Sequence, residues 1–192
     1  MRAQRLQLGS GCNVYACDQK DSIKLKLRCR ELRKAPLRCA SLHHVPCDLT
    51  AADWYERLLA APGYDENLPT AFAAEGLLYY LEPADVAALV RVLTERPAPG
   101  SRLLASIISQ GALDNARKSS AQIFKSFRWG VDRPRGFFRS LGCGRARVFE
   151  LGRSPCNDWW VRHPPQDVRV PSRFKPRARR TWFVDVPLGG GK

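Results

Sequence analysis

The sequence predicts an α/β fold, a mainly parallel sheet with helices covering both faces. Two observations lead there. Short apolar runs alternate with longer helical ones along the 192 residues, and such alternation builds parallel strands joined by helical crossovers. Acidic residues stand at the ends of several of those runs, where open parallel sheets take their ligands. With 44% apolar and 9% aromatic residues the chain has material for a core. That composition excludes collagen-like and low-complexity classes.

The elements follow in order. Arg5 to Leu8 suits a short strand and runs into Gly9-Ser10-Gly11. Val14 to Cys17 suits a second strand, ending at Asp18. From Gln19 to Lys34, Ile23, Leu25, Leu27 and Leu32 are interleaved with Lys and Arg, a helical pattern that Pro36 ends. Leu42 to Cys47 is a third strand, with Asp48 at its end. Ala51 to Ala60 is a helix, with Thr50 as N-cap and Asp53 as the N3 acid of a near capping box. Pro62-Gly63 stops it. Thr70 to Ala74 is a buried strand followed by Glu75-Gly76. Pro83 opens a helix in which Val86, Leu89, Val90 and Leu93 recur at helical spacing up to Glu95.

Arg102 to Ser109 is a Leu- and Ile-rich strand. Residues 110–133 are polar, basic and ambiguous. Pro134 to Leu141 is a short helix closed by Gly142; Arg147 to Leu151 and Thr181 to Val186 are strands. The Pro- and Arg-rich stretch from Ser154 to Arg180 reads as loop. One domain over residues 1–188 is expected, with 189–192 as a disordered tail.

Lys and Arg number 32 against 18 Asp and Glu, a net charge of +14. The excess is uneven. Residues 1–40 carry +7, residues 41–110 carry −5, and residues 111–192 carry +12. Basic ends fit an RNA partner, but no recognised nucleic-acid motif accompanies them. A solvated arginine-rich surface is the favoured reading of them. No 18-residue apolar run suggests a membrane span, and the N-terminus lacks a signal-peptide apolar run. Seven cysteines at irregular spacing, with no C-x-x-C, argue against a disulfide framework or a zinc ribbon. A reducing, cytoplasmic compartment is the expectation, with no metal.

The chemistry lies at the strand ends. Gly9 and Gly11 would let a ligand approach the backbone, although a plain turn uses glycine too. Asp18 could accept both hydroxyls of a ribose, and equally could cap the helix that follows. Asp48 has the same alternative. Glu75 closes an apolar strand, where a carboxylate is costly without a purpose. The sheet rule places Gly9–Gly11, Asp18, Asp48 and Glu75 along one edge. His43, His44 and His163 suit structural roles, and Cys12 and Cys17 suit small buried ones.

The run Asp48-Leu49-Thr50 to Trp54, then Gly63-Tyr64 and Leu68-Pro69-Thr70-Ala71-Phe72-Ala73-Ala74-Glu75-Gly76-Leu77-Leu78-Tyr79-Tyr80-Leu81, resembles the leucine carboxyl methyltransferase family. Pro99-Gly100-Ser101-Arg102-Leu103 and Asp132 to Gly142 resemble later turns of that family, and Leu8 to Gly11 and Val14 to Gln19 its first two strand ends. The likeness is specific over residues 45–105 and faint after Ser154. It implies a class I methyltransferase with a Rossmann-like, seven-stranded sheet and S-adenosyl-L-methionine as cofactor. It assigns Gly9 and Gly11 to the loop beside the methionine moiety, Asp18 to the ribose, and Asp48 and Leu49 to the adenine side. Glu75 would lie near the methionine amino group. The implied acceptor is a carboxylate on a protein C-terminus or a small acid. Such an acceptor is ionised at neutral pH and needs no general base, so no catalytic residue is nominated.

The chain departs from that pattern in two places, which suggests a truncated member: the family's N-terminal extension over the cofactor, with its substrate-side arginine, is expected to be missing, and the glycine-to-acid spacing is short. Only seven positions lie from Gly11 to Asp18, whereas a dinucleotide-type site has a helix and roughly 20 residues there. The expected sheet therefore lacks its first helix. A degenerate relative acting as an RNA- or protein-binding module is the alternative.

Overall fold

The computed structural model describes residues 6–34, 36–150 and 180–188. The chain divides into two compact units, Met1–Glu66 and Asn67–Lys192.

In the first unit, β1 (Gly9–Asp18) and β2 (Cys39–Pro46) pair in parallel, from Asn13 beside Ser41 to Asp18 beside Pro46. The register breaks between Gly9 and Asn13. Parallel neighbours need a crossover, and α1 (Lys20–Arg33) supplies it. Its Lys, Leu, Arg and Glu residues are strong helix formers. Ile23 is buried, whereas Leu25 is 63% exposed, so its helicity owes more to propensity than to a broad apolar face. Lys34 ends α1 in the left-handed region, its N–H donating to the Arg30 carbonyl. The short α2 (Trp54–Leu59) buries Trp54, Tyr55 and Leu58.

Two expectations change here. Residues 9–18 form one strand, not a strand end, a glycine loop and a second strand; Arg5 lies outside the described residues. The Thr50 capping box does not form. The Asp48 carboxylate takes the Thr50 N–H and hydroxyl at 2.9 and 2.8 Å, and the helix starts at Trp54, after Asp53. Asp53 in turn binds Arg57 at 2.7 Å. An aspartate two residues before a backbone N–H closes its own turn more readily than a threonine reaches forward.

The second unit holds a four-stranded sheet in the order β3-β4-β6-β5, built from β3 (Ala71–Ala74), β4 (Arg102–Ile108), β5 (Arg147–Glu150) and β6 (Thr181–Pro187). Only β3 and β4 are parallel; β6 runs antiparallel to both β4 and β5. The described residues thus form a two-stranded and a four-stranded sheet, in place of the seven-stranded, mainly parallel one expected. β4 lies inside the sheet, and Leu103, Ala105, Ser106, Ile107 and Ile108 are all buried. Leu104 is 43% exposed, so the continuous buried run is Ala105 to Ile108, the part of the strand covered on both faces. β6 alternates, with Trp182, Val184 and Val186 buried and Phe183 exposed. Asp185 of β6 receives Arg102 at 2.6 Å and Arg147 at 3.8 Å, tying three strands together.

A 3-10 turn (Leu78–Tyr80) leads to α3 (Pro83–Glu95), whose buried Val86, Leu89, Val90 and Leu93 are the stripe read from the sequence. The ambiguous stretch holds α4 (Gln110–Arg117) and α5 (Gln122–Lys125). α6 (Pro134–Ser140) buries Pro134 and Phe138. The loop expected over 154–179 and the tail 189–192 lie outside the described residues, as do Cys156 and His163.

Candidate functional site

The carboxyl ends of β1 and β2 stand side by side, since the Cys47 N–H donates to the Asp18 carbonyl at 2.9 Å. Asp18 and the Asp48-Leu49 pair are therefore brought together. Gly9 and Gly11 are not. They open β1 and Asp18 closes it, and a strand rises about 3.3 Å per residue, so Gly11 and Asp18 are roughly 20 Å apart. Gly9 has a φ of 83°, and nothing lies within 4 Å of where a Cβ would stand at either glycine. The glycines were expected beside the acids because a glycine pair was read as a strand's end. In this chain it is a strand's beginning.

Asp18 is already engaged. Its Oδ2 pairs with Lys26 of α1 at 2.5 Å and its Oδ1 accepts the Gln19 N–H at 2.8 Å. Burial raises the carboxyl's pKa, but Lys26, the Gln19 amide and Ser22 outweigh this and hold it below the ordinary value. A carboxylate offers about four lone-pair positions, and the Asp18 side chain is 32% exposed, so it retains capacity for a further donor. Asp48 is exposed, and its bonds from the Thr50 N–H and hydroxyl keep it ionised. Leu49 beside it is half-buried. Two carboxylates and an apolar neighbour suit a hydroxylated, cationic ligand.

On the same face as Asp18, His44 lies between α1 and the strands. Both ring nitrogens are enclosed and lack a hydrogen-bond partner among the described residues. Burial first, then Arg30 and Lys26, hold its pKa below the usual imidazole value. The neutral form is thus the native one. Above an unfolded pKa of about 6.5 neither state binds the proton and the group contributes nothing. Below it the unfolded chain takes up the proton and the native chain resists, so stability falls with pH until the lower folded pKa is passed. His44→Phe is expected to remove that loss: between pH 7 and pH 5 its melting temperature should drop less than the parent's. A parallel decline in both proteins would refute the assignment.

His43, on the opposite face, stacks on Tyr15 at 5.2 Å and shares a 2.8 Å hydrogen bond with Ser41. Cys17 hydrogen-bonds Cys47, which together with burial pushes the Cys17 thiol up. Both histidines are held by packing, whereas Cys12 and Cys17 are only half-buried, short of the buried roles expected of them.

In the second unit Glu75 is exposed directly after β3. The turn it occupies is built by Gly76 and Ser106. Gly76, at φ 68°, donates its N–H to Ser106 Oγ at 2.8 Å. The Tyr79 hydroxyl also bonds Ser106, and lies 3.5 Å from where a Gly76 Cβ would be. Ser106 is one of three buried serines on or beside β4. Ser101 Oγ takes the Thr70 N–H, and Ser109 Oγ takes those of Ala112 and Arg180. Buried hydroxyls need partners, and each here fixes a loop at an end of β3 or β4. A serine inside a strongly apolar strand was the available sequence signal. Among the described residues no group of three or more His, Cys, Asp or Glu is placed to hold a metal. No described helix is long and apolar enough to cross a membrane.

The sequence profile of the family described as leucine carboxyl methyltransferase matches residues 1–94. The match takes in just under half of the 192 residues. Relatives from Mycobacterium sp. (strain JLS) and Mycobacterium marinum are 44% and 43% identical over 103 and 109 residues, or 53% and 56% of this chain. Their names make them candidate S-adenosyl-L-methionine-dependent methyltransferases. The matches cover 33% and 32% of those proteins, so the chain spans about a third of the curated relatives it matches.

Among solved structures, a DUF574-family protein from Streptomyces avermitilis superimposes with a TM-score of 0.61 at 16% identity, covering 94% of this chain and 66% of that one. The methyltransferase domain of bacterial CtHen1 gives 0.55 at 13% identity, over 93% and 78%. The cyclase SpnF also gives 0.55, at 11% identity, over 97% and 78%. These likenesses establish an α/β, Rossmann-like fold. The cyclase among them shows that the fold alone does not set the reaction.

Proposed function

We propose that this chain, whose residues 1–94 match the leucine carboxyl methyltransferase profile, binds S-adenosyl-L-methionine and methylates a carboxylate oxygen. The observation that carries the reading is the pair Asp18 and Asp48 at the ends of adjacent parallel strands, inside the family-matched segment. Asp18 would accept the ribose hydroxyls, and Asp48 and Leu49 would flank the adenine; Glu75, which the resemblance assigns to the ammonium, belongs to the second unit. Gly9 and Gly11, expected beside the methionine moiety, lie at the far end of β1 from Asp18. A cationic ligand with a diol matches these carboxylate acceptors in charge and in hydrogen-bonding sense.

When bound, the cofactor supplies a methyl group on a sulfonium, already activated for transfer. What remains for the chain is to hold the partners aligned and exclude water. Ser106 supports this by fixing the Glu75-Gly76 turn.

Titration calorimetry with S-adenosyl-L-methionine and its demethylated product tests the reading. Binding is expected from both, weakened about tenfold or more in Glu75→Ala, which removes a charged partner. Folded protein that binds neither ligand overturns the proposal. Full affinity in Glu75→Ala takes Glu75 out of the site.

A further inference from the structure

We infer that an aromatic and basic surface beside the Glu75 turn receives an acceptor that is an apolar carboxylic acid, charged at one end and hydrocarbon at the other. The inference rests on the methyltransferase reading for its chemistry but not for its binding. Tyr79 reaches the Glu75-Gly76 turn through its hydroxyl and leads away from it through its ring. The Tyr79 ring packs on Phe127 at 4.6 Å, and Phe127 packs on Tyr80 at 5.0 Å and on Phe124 at 5.6 Å. The chain of rings ends at α5, a helix with no buried residue. Ile123 is 60% and Phe124 44% exposed there. An apolar surface continuous with a candidate site is a docking signal, unlike a single exposed leucine.

Charge decides the occupant. Residues 117–131 contain four basic side chains and no acidic one. Arg117, Lys118, Lys125 and Arg128 are all exposed. The facing acid is Glu82, 3.4 Å from Arg128 and itself largely exposed. Arg128 is anchored to the Lys125 carbonyl at 2.7 Å, and its N–H donates to the Tyr79 carbonyl, so the cations ride on the same backbone as the rings. A hydrocarbon body would bury Ile123 and Phe124, and a carboxylate would meet Lys125 or Arg128. A neutral lipid would leave Lys125 without a countercharge, and a bare small anion would leave the rings wet.

The test uses the full chain, with titration calorimetry as the readout. Decanoate, acetate and decan-1-ol are titrated with no cofactor present. Decanoate should bind, with acetate and decan-1-ol weaker by about tenfold or more. Phe124→Ser and Lys125→Glu, both surface changes checked by circular dichroism, should each weaken decanoate by about tenfold. Decan-1-ol binding as well as decanoate, or unchanged decanoate affinity in both variants, overturns the inference. So does oligouridylate or an anionic vesicle binding in a Lys125-dependent way while decanoate does not bind. Calorimetry with S-adenosyl-L-methionine on the same samples separates the readings. Acid binding without cofactor binding removes the methyltransferase reading and leaves this surface standing; cofactor binding without acid binding does the reverse.

Discussion

Replacing Phe138 by alanine is expected to cost the second unit about 3–5 kcal/mol, the usual loss for a buried phenylalanine. Phe138 lies on α6 with no exposed surface, and its carbonyl accepts the N–H groups of Leu141 and Cys143. Truncation would leave a cavity beneath α6, beside Phe137 at 5.2 Å. The surrounding backbone is held by Gly142 at φ 81° and by the Gly144 N–H donating to Pro187, so it cannot collapse freely. Against a typical total stability of about 5–15 kcal/mol the loss is large. A melting temperature roughly 10 °C or more below the parent's should appear in a thermal scan. Phe138→Leu keeps most of the volume and should cost far less. Equal melting temperatures for alanine variant and parent would show that Phe138 is not core.

What could be read from sequence divides along a physical line. α3 was legible because two independent signals agree there, a proline at its start and an apolar stripe at helical spacing. β4 was legible because Leu103 to Ile108 is apolar at every position but Ser106, a density that a largely buried strand needs. The antiparallel course of β6 was not, because a strand's residues record burial and not direction. β1 failed for a related reason. Glycine marks permitted backbone conformations, so Gly9 and Gly11 are compatible with a loop, a turn or a broken strand register, and only pairing with β2 chooses among them.

The site shows the same division. Strand-end acids are visible because a carboxylate after an apolar run is unusual, and the structure puts Asp18 and Asp48 together as expected. Their local partners were hidden. Lys26 reaches Asp18 across eight residues, and Ser106 reaches Gly76 across thirty. A serine or lysine of that kind is common in any sequence, and its role exists only once the chain has folded.

Lys26 supplies the second large effect. If Asp18 holds a ribose, Asp18→Asn removes the charge from a hydrogen-bond acceptor, worth about 1.5–3 kcal/mol, or roughly ten- to hundredfold in affinity for the demethylated cofactor. The amide would also turn donors toward the Lys26 ammonium 2.5 Å away. Lys26→Met separates the two roles. It deletes the cation and keeps the carboxylate, whose pKa then rises toward its ordinary value near 4 and leaves it ionised at neutral pH. Affinity in Lys26→Met should therefore match or exceed the parent's, because the diol no longer competes with an ammonium. Acid stability should move the other way. In the parent the folded pKa is depressed, so the stabilisation is present above about pH 4 and is lost only as pH falls through the lower folded value. Without Lys26 that loss begins at higher pH. Unchanged affinity in Asp18→Asn would take Asp18 out of the ligand site. A loss in Lys26→Met as large as in Asp18→Asn would mean that the lysine, and not the acid, meets the ligand.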